Sequence, residues 1–198
     1  MTTNHSTGDG SAEVTPLQAA LRQSTAALKS DGVPFALAGG YALWVHGAPE
    51  PEHDVDLVVT EADVPAAVKS LDGAGLRIVR PPEDWLFKAY LDDTLVDVLH
   101  RLNGNPVPQE LISSAEEFEV LGLRIPVLPA TDIMTTKLLS LSEHYCDFAA
   151  LLPVVRAVRE QLDWTRIQST VSGRPFAESF LLLVDRLGIA ELDLCRQG

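Results

Sequence analysis

The chain has 198 residues, and its 28 acidic against 15 basic residues leave a net charge of −13. That length favours one domain, or a core with a small appended subdomain, and 46% hydrophobic with 22% charged residues is an ordinary globular balance. The acidity argues against bulk nucleic-acid binding, which needs clustered Lys and Arg, but the four lysines Lys29, Lys69, Lys88 and Lys137 are enough to meet a small anionic ligand.

Residues 1–14, rich in Thr, Ser, Gly and Asp, read as a disordered tail and not as a signal peptide, having neither a basic end nor an apolar stretch. Pro16 opens a helix at its first turn with Thr15 as cap. Leu17, Ala20, Leu21, Ala27 and Leu28 recur at helical spacing, and Asp31-Gly32 closes it. Phe35-Ala36-Leu37 reads as a strand that stops at Gly39-Gly40, and Tyr41 to His46 as a short helix after it. A Pro-broken loop over 48–53 leads to a β-branched strand, Asp54 to Val59. Thr60 is placed to cap a helix from Glu61 to Leu71. Leu76 to Val79 reads as a strand, and Trp85 to Leu91 and Leu95 to Leu99 as a hairpin turning at Asp92-Asp93-Thr94. Residues 103–108 are turn chemistry, and Phe118 to Val127 suggests a further hairpin at Gly122. After Pro129 the texture becomes helical, with breaks near Asp163, Gly173 and Pro175. The two cysteines, Cys146 and Cys195, are too few for a disulfide framework and read as reduced thiols of a cytoplasmic protein. No apolar run approaches the roughly 18 residues of a membrane span.

Three features carry chemistry together. Asp54 and Asp56 lie two apart on one strand and so project from the same face. Fifteen aspartates in this length give about one such pair by chance, so the pair alone says little. Its setting says more, because Val55, Leu57, Val58 and Val59 surround it, and Asp is disfavoured in strands. Two adjacent carboxylates repel and raise each other's pKa unless a cation intervenes. Asp97 repeats the pattern inside Leu95-Val96-Asp97-Val98-Leu99, where an unpaired carboxylate is costly. Three carboxylates on neighbouring strands suit a hard cation such as Mg²⁺, and two ions about 3.5–4 Å apart would clamp the oxygens of a phosphoryl substitution. Gly39-Gly40 permits positive φ and close backbone approach, ahead of a helix start suited to phosphate. If Leu91 pairs with Thr94 across the hairpin, Lys88 falls opposite Asp97, as a phosphate ligand or a salt bridge. Lys137 lies in a Leu- and Met-rich helix from which it could reach a triphosphate. The histidines lack zinc spacing, and no serine-hydrolase elbow or P-loop motif occurs.

Leu37-Ala38-Gly39-Gly40-Tyr41-Ala42-Leu43, Asp54-Val55-Asp56-Leu57-Val58-Val59 and Leu95-Val96-Asp97-Val98 together resemble the nucleotidyltransferases of the DNA polymerase β-like superfamily. The resemblance covers roughly 33–100. Lys137-Leu138-Leu139 and Asp147-Phe148 extend it, more loosely, towards small bacterial members of the AbiEii toxin type. It implies an α+β fold: a small mixed sheet flanked by helices over 15–128, then a helical subdomain over 129–198. It implies that Asp54 and Asp56 bind both Mg²⁺ ions, with Mn²⁺ as substitute. Asp97 would help bind one and activate the acceptor, while Gly39 and Gly40 hold the triphosphate. Tyr41, His53, Lys88 and Lys137 are the further nucleotide-site candidates. His53 stands where many relatives carry a basic or hydroxyl residue. The implied reaction moves an NMP from an NTP donor to a hydroxyl of a small molecule, protein or tRNA. A cognate antitoxin is a candidate partner, and the competing expectation is a binding module that keeps the fold without turnover.

Overall fold

A computed structural model describes residues 14–192; the expected tail, Val14 apart, and Cys195 lie outside them. Helix α1 (Pro16–Ser30) begins as its sequence requires: the Thr15 hydroxyl accepts from the Gln18 amide, the Gln18 side chain accepts from the Thr15 amide, and Pro16 sits in the first turn. Its buried stripe includes Ala20, Leu21 and Leu28, and it packs across the sheet beside α3 (Val64–Gly73).

Strands β1 (Ala36–Ala38), β2 (Asp54–Val58), β3 (Arg77–Val79), β4 (Leu86–Leu91), β5 (Thr94–Leu99), β8 (Glu116–Val120) and β9 (Leu123–Val127) form one mixed seven-stranded sheet in the order β3-β4-β5-β2-β1-β9-β8. The β2–β5 and β1–β9 pairs are parallel and the others antiparallel. A separate two-stranded ribbon, β6 (Arg101–Leu102) and β7 (Asn105–Pro106), turns at Asn103-Gly104, and the short helix α4 (Gln109–Ser113) follows. The sequence showed only turn chemistry there. The β4–β5 hairpin closes with Leu91 opposite Thr94, and the β8–β9 hairpin turns on Leu121 and Gly122, both at positive φ.

Two boundaries differ from the expectation. Helix α2 (Gly39–Val45) starts at Gly39, so the two glycines are its first turn and not a linker before it. The helix expected from Glu61 is a 3₁₀ turn, Glu61–Asp63, followed by α3. The Thr60 hydroxyl donates to the Asp63 carboxylate at 2.6 Å instead of capping the backbone.

After Val127 the described chain is helical: α5 (Ala130–Leu139), α6 (Phe148–Val158), α7 (Trp164–Thr170) and α8 (Pro175–Arg186). Asp147 caps α6 by accepting from the Ala150 amide, and Asp163 caps α7 by accepting from the Arg166 amide. Helix α5 packs on α2, α7 and α8. The link between α6 and α7 is also tied back to the sheet side. Gln161 Nε2 donates to the His46 carbonyl at 2.7 Å, its Oε1 lies 3.1 Å from His46 Nδ1, and His46 Nε2 lies 2.8 Å from the Leu128 carbonyl.

Candidate active site

Strand alternation sets the site. Val55, Leu57, Val96 and Val98 point into one face of the sheet and are fully buried, which leaves Asp54, Asp56 and Asp97 on the other. The register aligns a single row across five strands: Ala38 beside Asp56, Asp56 beside Asp97, Asp97 beside Lys88, and Lys88 beside Val79. Asp54 lies one pleat along from Asp56. Among the described residues, these three carboxylates are the one group that could hold a metal, with an oxygen from each lying within 4.8 Å of the others.

The electrostatics of the row are unfavourable without a cation. Burial, then the charge of Asp54, pushes the Asp56 carboxyl up to about 7, with Lys137 and the Gly40 amide pulling the other way. Asp97 is raised as well, chiefly by burial, against the opposing charge of Lys88. Its Oδ1 is buried with no hydrogen-bond partner: the Lys88 ammonium at 3.5 Å makes an ion pair with it, too long for a good hydrogen bond. A buried carboxylate oxygen lacking a donor, beside two further carboxylates, fits a divalent cation bound through oxygen.

The glycines are fixed by this geometry. Gly39 has φ +58°, and a Cβ there would stand 1.7 Å from Asp56 Oδ2. A Cβ on Gly40 would meet Pro51 Cβ at 2.8 Å. The Gly40 amide pulls the Asp56 pKa down and Gly39 packs on its carboxylate, so the first turn of α2 is built against the aspartate. The sequence signalled the glycines but not this partner, nor the packing of Pro51, which lay in a stretch read only as a loop.

The other candidates divide. Lys88 lies directly across from Asp97, as the hairpin register predicts. Lys137, half-buried on α5, is near enough for its charge to act on Asp56. His53 immediately precedes β2 with an exposed side chain. Tyr41 is drawn away from a ligand: it is fully buried, packs edge-on against Trp44, and donates its hydroxyl to Glu50 at 3.2 Å. A surface groove of about 380 Å³, lined by Lys29, Phe35, Ile112 and Pro126 among others, shares no residue with the carboxylate row.

No family model matches the chain, and no curated protein matches it. Solved structures do. That of ANT(2'')-Ia in complex with adenylyl-2''-tobramycin superposes over 83% of this chain and 97% of its own, with a TM-score of 0.56 at 15% identity. The fold is that of the nucleotidyltransferases. The lincomycin-bound structure of the lincosamide antibiotic adenylyltransferase LnuA superposes over 70% of this chain and 95% of its own, with a TM-score of 0.50 at 13% identity. At these identities the likeness speaks for the fold. Within that fold, the carboxylate row and the first turn of α2 lie side by side.

Proposed function

We propose that the protein is a metal-dependent nucleotidyltransferase, moving an NMP from an NTP to a hydroxyl acceptor. The observation that carries this is the convergence of Asp54, Asp56 and Asp97 on one face, with Asp97 Oδ1 buried and met only by the Lys88 ammonium at 3.5 Å. Asp54, Asp56 and Asp97 would hold Mg²⁺, with Mn²⁺ as substitute; two ions there would neutralise the carboxylates and the charge developing on the transferred phosphoryl group. Asp97, whose affinity for a proton is raised by burial, is suited to take the proton of the attacking hydroxyl. Gly39 and Gly40 let the triphosphate approach the backbone. Lys137 would meet the phosphates from α5, across the boundary between a core over 15–128 and a helical subdomain over 129–198. His53, at the entrance to β2, would contact the nucleotide from the solvent side. Catalysis would rest on positioning and charge, with little covalent work by the protein.

The acceptor belongs to the proposal too. Adenylyl-tobramycin in one structural neighbour and lincomycin in the other favour a small hydroxyl-bearing molecule, and the net charge of −13 weighs against a bulk nucleic-acid acceptor. A cytoplasmic toxin-type role with a cognate antitoxin rests on the AbiEii resemblance alone. It predicts that expression slows growth and that Asp56→Ala relieves it. Among the described residues no helix is long and apolar enough to cross a membrane. The test of the main reading is pyrophosphate release from each NTP with Mg²⁺ and a panel of hydroxyl acceptors. Turnover lost in Asp54→Asn supports the enzyme. Nucleotide binding without release for any acceptor supports the non-catalytic module.

A further inference from the structure

Lys88 occupies a position that a phosphate ligand does not explain. Its ammonium lies 3.5 Å from Asp97 Oδ1, and both side chains are largely covered, 30% and 14% exposed. It sits at the end of the carboxylate row, in register with the aspartate. Lys137 acts on the same row from α5, where its charge reaches Asp56. Three ionised carboxylates against these two ammonium groups leave a single negative charge, so one divalent cation already over-neutralises the row. A second divalent ion would have to displace Lys88 from Asp97, or else wait for the negative charge of a triphosphate.

We propose that Lys88 is the resident cation of Asp97: it fills the second cation position in the nucleotide-free protein, so that only one divalent ion binds, through Asp54 and Asp56, before the nucleotide arrives. The inference rests on the metal reading of the row given above. It assigns Lys88 the task of ordering assembly, with the second ion coming in together with the nucleotide phosphates. A lysine serves because its ammonium is a compact point charge on a flexible stem and can swing aside without a bidentate geometry to break.

The test is a Mn²⁺ titration of the full-length, nucleotide-free protein, followed by calorimetry and by electron paramagnetic resonance of the free ion. Wild type, Lys88→Met, Lys88→Arg, Asp97→Asn and the Lys88→Met/Asp97→Asn double variant would be compared, each checked for folding by thermal unfolding. Wild type is expected to bind one Mn²⁺, and Asp97→Asn still to bind one, about tenfold more weakly, because the substitution leaves the Lys88 charge uncompensated beside Asp54 and Asp56. Removing a unit charge this close to the row predicts about tenfold tighter binding or a second bound ion in Lys88→Met. That gain should vanish in the double variant, and Lys88→Arg should behave as wild type. Two ions on the wild type with one lost in Asp97→Asn, or an unchanged titration in Lys88→Met, would overturn the role of Lys88 while leaving the metal site standing. No Mn²⁺ on either wild type or Lys88→Met would overturn the metal reading and this inference with it.

Discussion

At the residue scale, the strongest demands fall on Gly39 and Asp56. Gly39→Ala places a methyl where Asp56 Oδ2 already stands and holds a non-glycine residue at φ +58°. Its expected cost is roughly 1–3 kcal/mol from the backbone alone, together with loss of divalent binding as Asp56 is pushed aside; thermal unfolding and Mn²⁺ titration measure the two. Asp56 gives a pH dependence whose sign follows from its raised pKa. The folded carboxyl keeps its proton to about 7, whereas an unfolded aspartate loses it near about 4. Between those values the folded state binds more protons, so the metal-free protein loses this stability as the pH rises through that window. The wild-type melting temperature, measured relative to that of Asp56→Asn, should therefore be higher at pH 4 than at pH 8, and saturating Mg²⁺ should recover the loss at pH 8. An unchanged difference between the two proteins across that range would contradict the account. Tyr41 supplies the contrast. Tyr41→Phe gives up the bond to Glu50 and should cost about 1 kcal/mol of stability with no change in nucleotide affinity by calorimetry, because the ring lies in the core.

At the scale of elements, hairpins were legible and remote pairings were not. Asp92-Asp93 between two apolar runs fixes Leu91 opposite Thr94, and counting back along both strands sets Lys88 opposite Asp97. Nothing local says that β2 lies between β5 and β1, or that β9 joins β1 in parallel, because those pairs close through long intervening chain. Local spacing alone therefore does not place Asp56 beside Asp97. The start of α2 was misplaced for a related reason: glycine at positive φ usually signals a turn, and here it opens the helix because Asp56 occupies the space a side chain would need. Tyr41 beside the glycines looked like a pocket residue, but the partner that draws its hydroxyl, Glu50, lies in a loop without periodicity. The tie between the α6–α7 link and α2 was equally invisible, being a side-chain contact across 115 residues. Gln161→Ala removes both of its bonds to His46. It should cost about 1–2 kcal/mol and speed amide exchange over 159–170 while the exchange of β2 and β5 stays unchanged. Equal protection in both regions would mean that the tie carries no load.

At the scale of the whole molecule, net charge and local site pull in opposite directions. A chain at −13 repels a free nucleoside triphosphate and attracts divalent cations. The carboxylate row concentrates that field, and Lys88 and Lys137 offset it only in part. Nucleotide should therefore bind only with a divalent ion present. The fold supports this economy of means: the sheet brings Asp56, Asp97 and Lys88 into adjacent register positions with Asp54 one pleat along, α2 closes on Asp56, and α5 brings a second lysine from the helical region. The most direct test is calorimetric titration of ATP, GTP, CTP and UTP into the protein with and without Mg²⁺, alongside Asp54→Asn/Asp56→Asn. The account predicts Mg²⁺-dependent binding of at least one nucleotide, abolished in the folded double variant. Binding that persists in the double variant, or no binding of any nucleotide by the folded wild type, would contradict it.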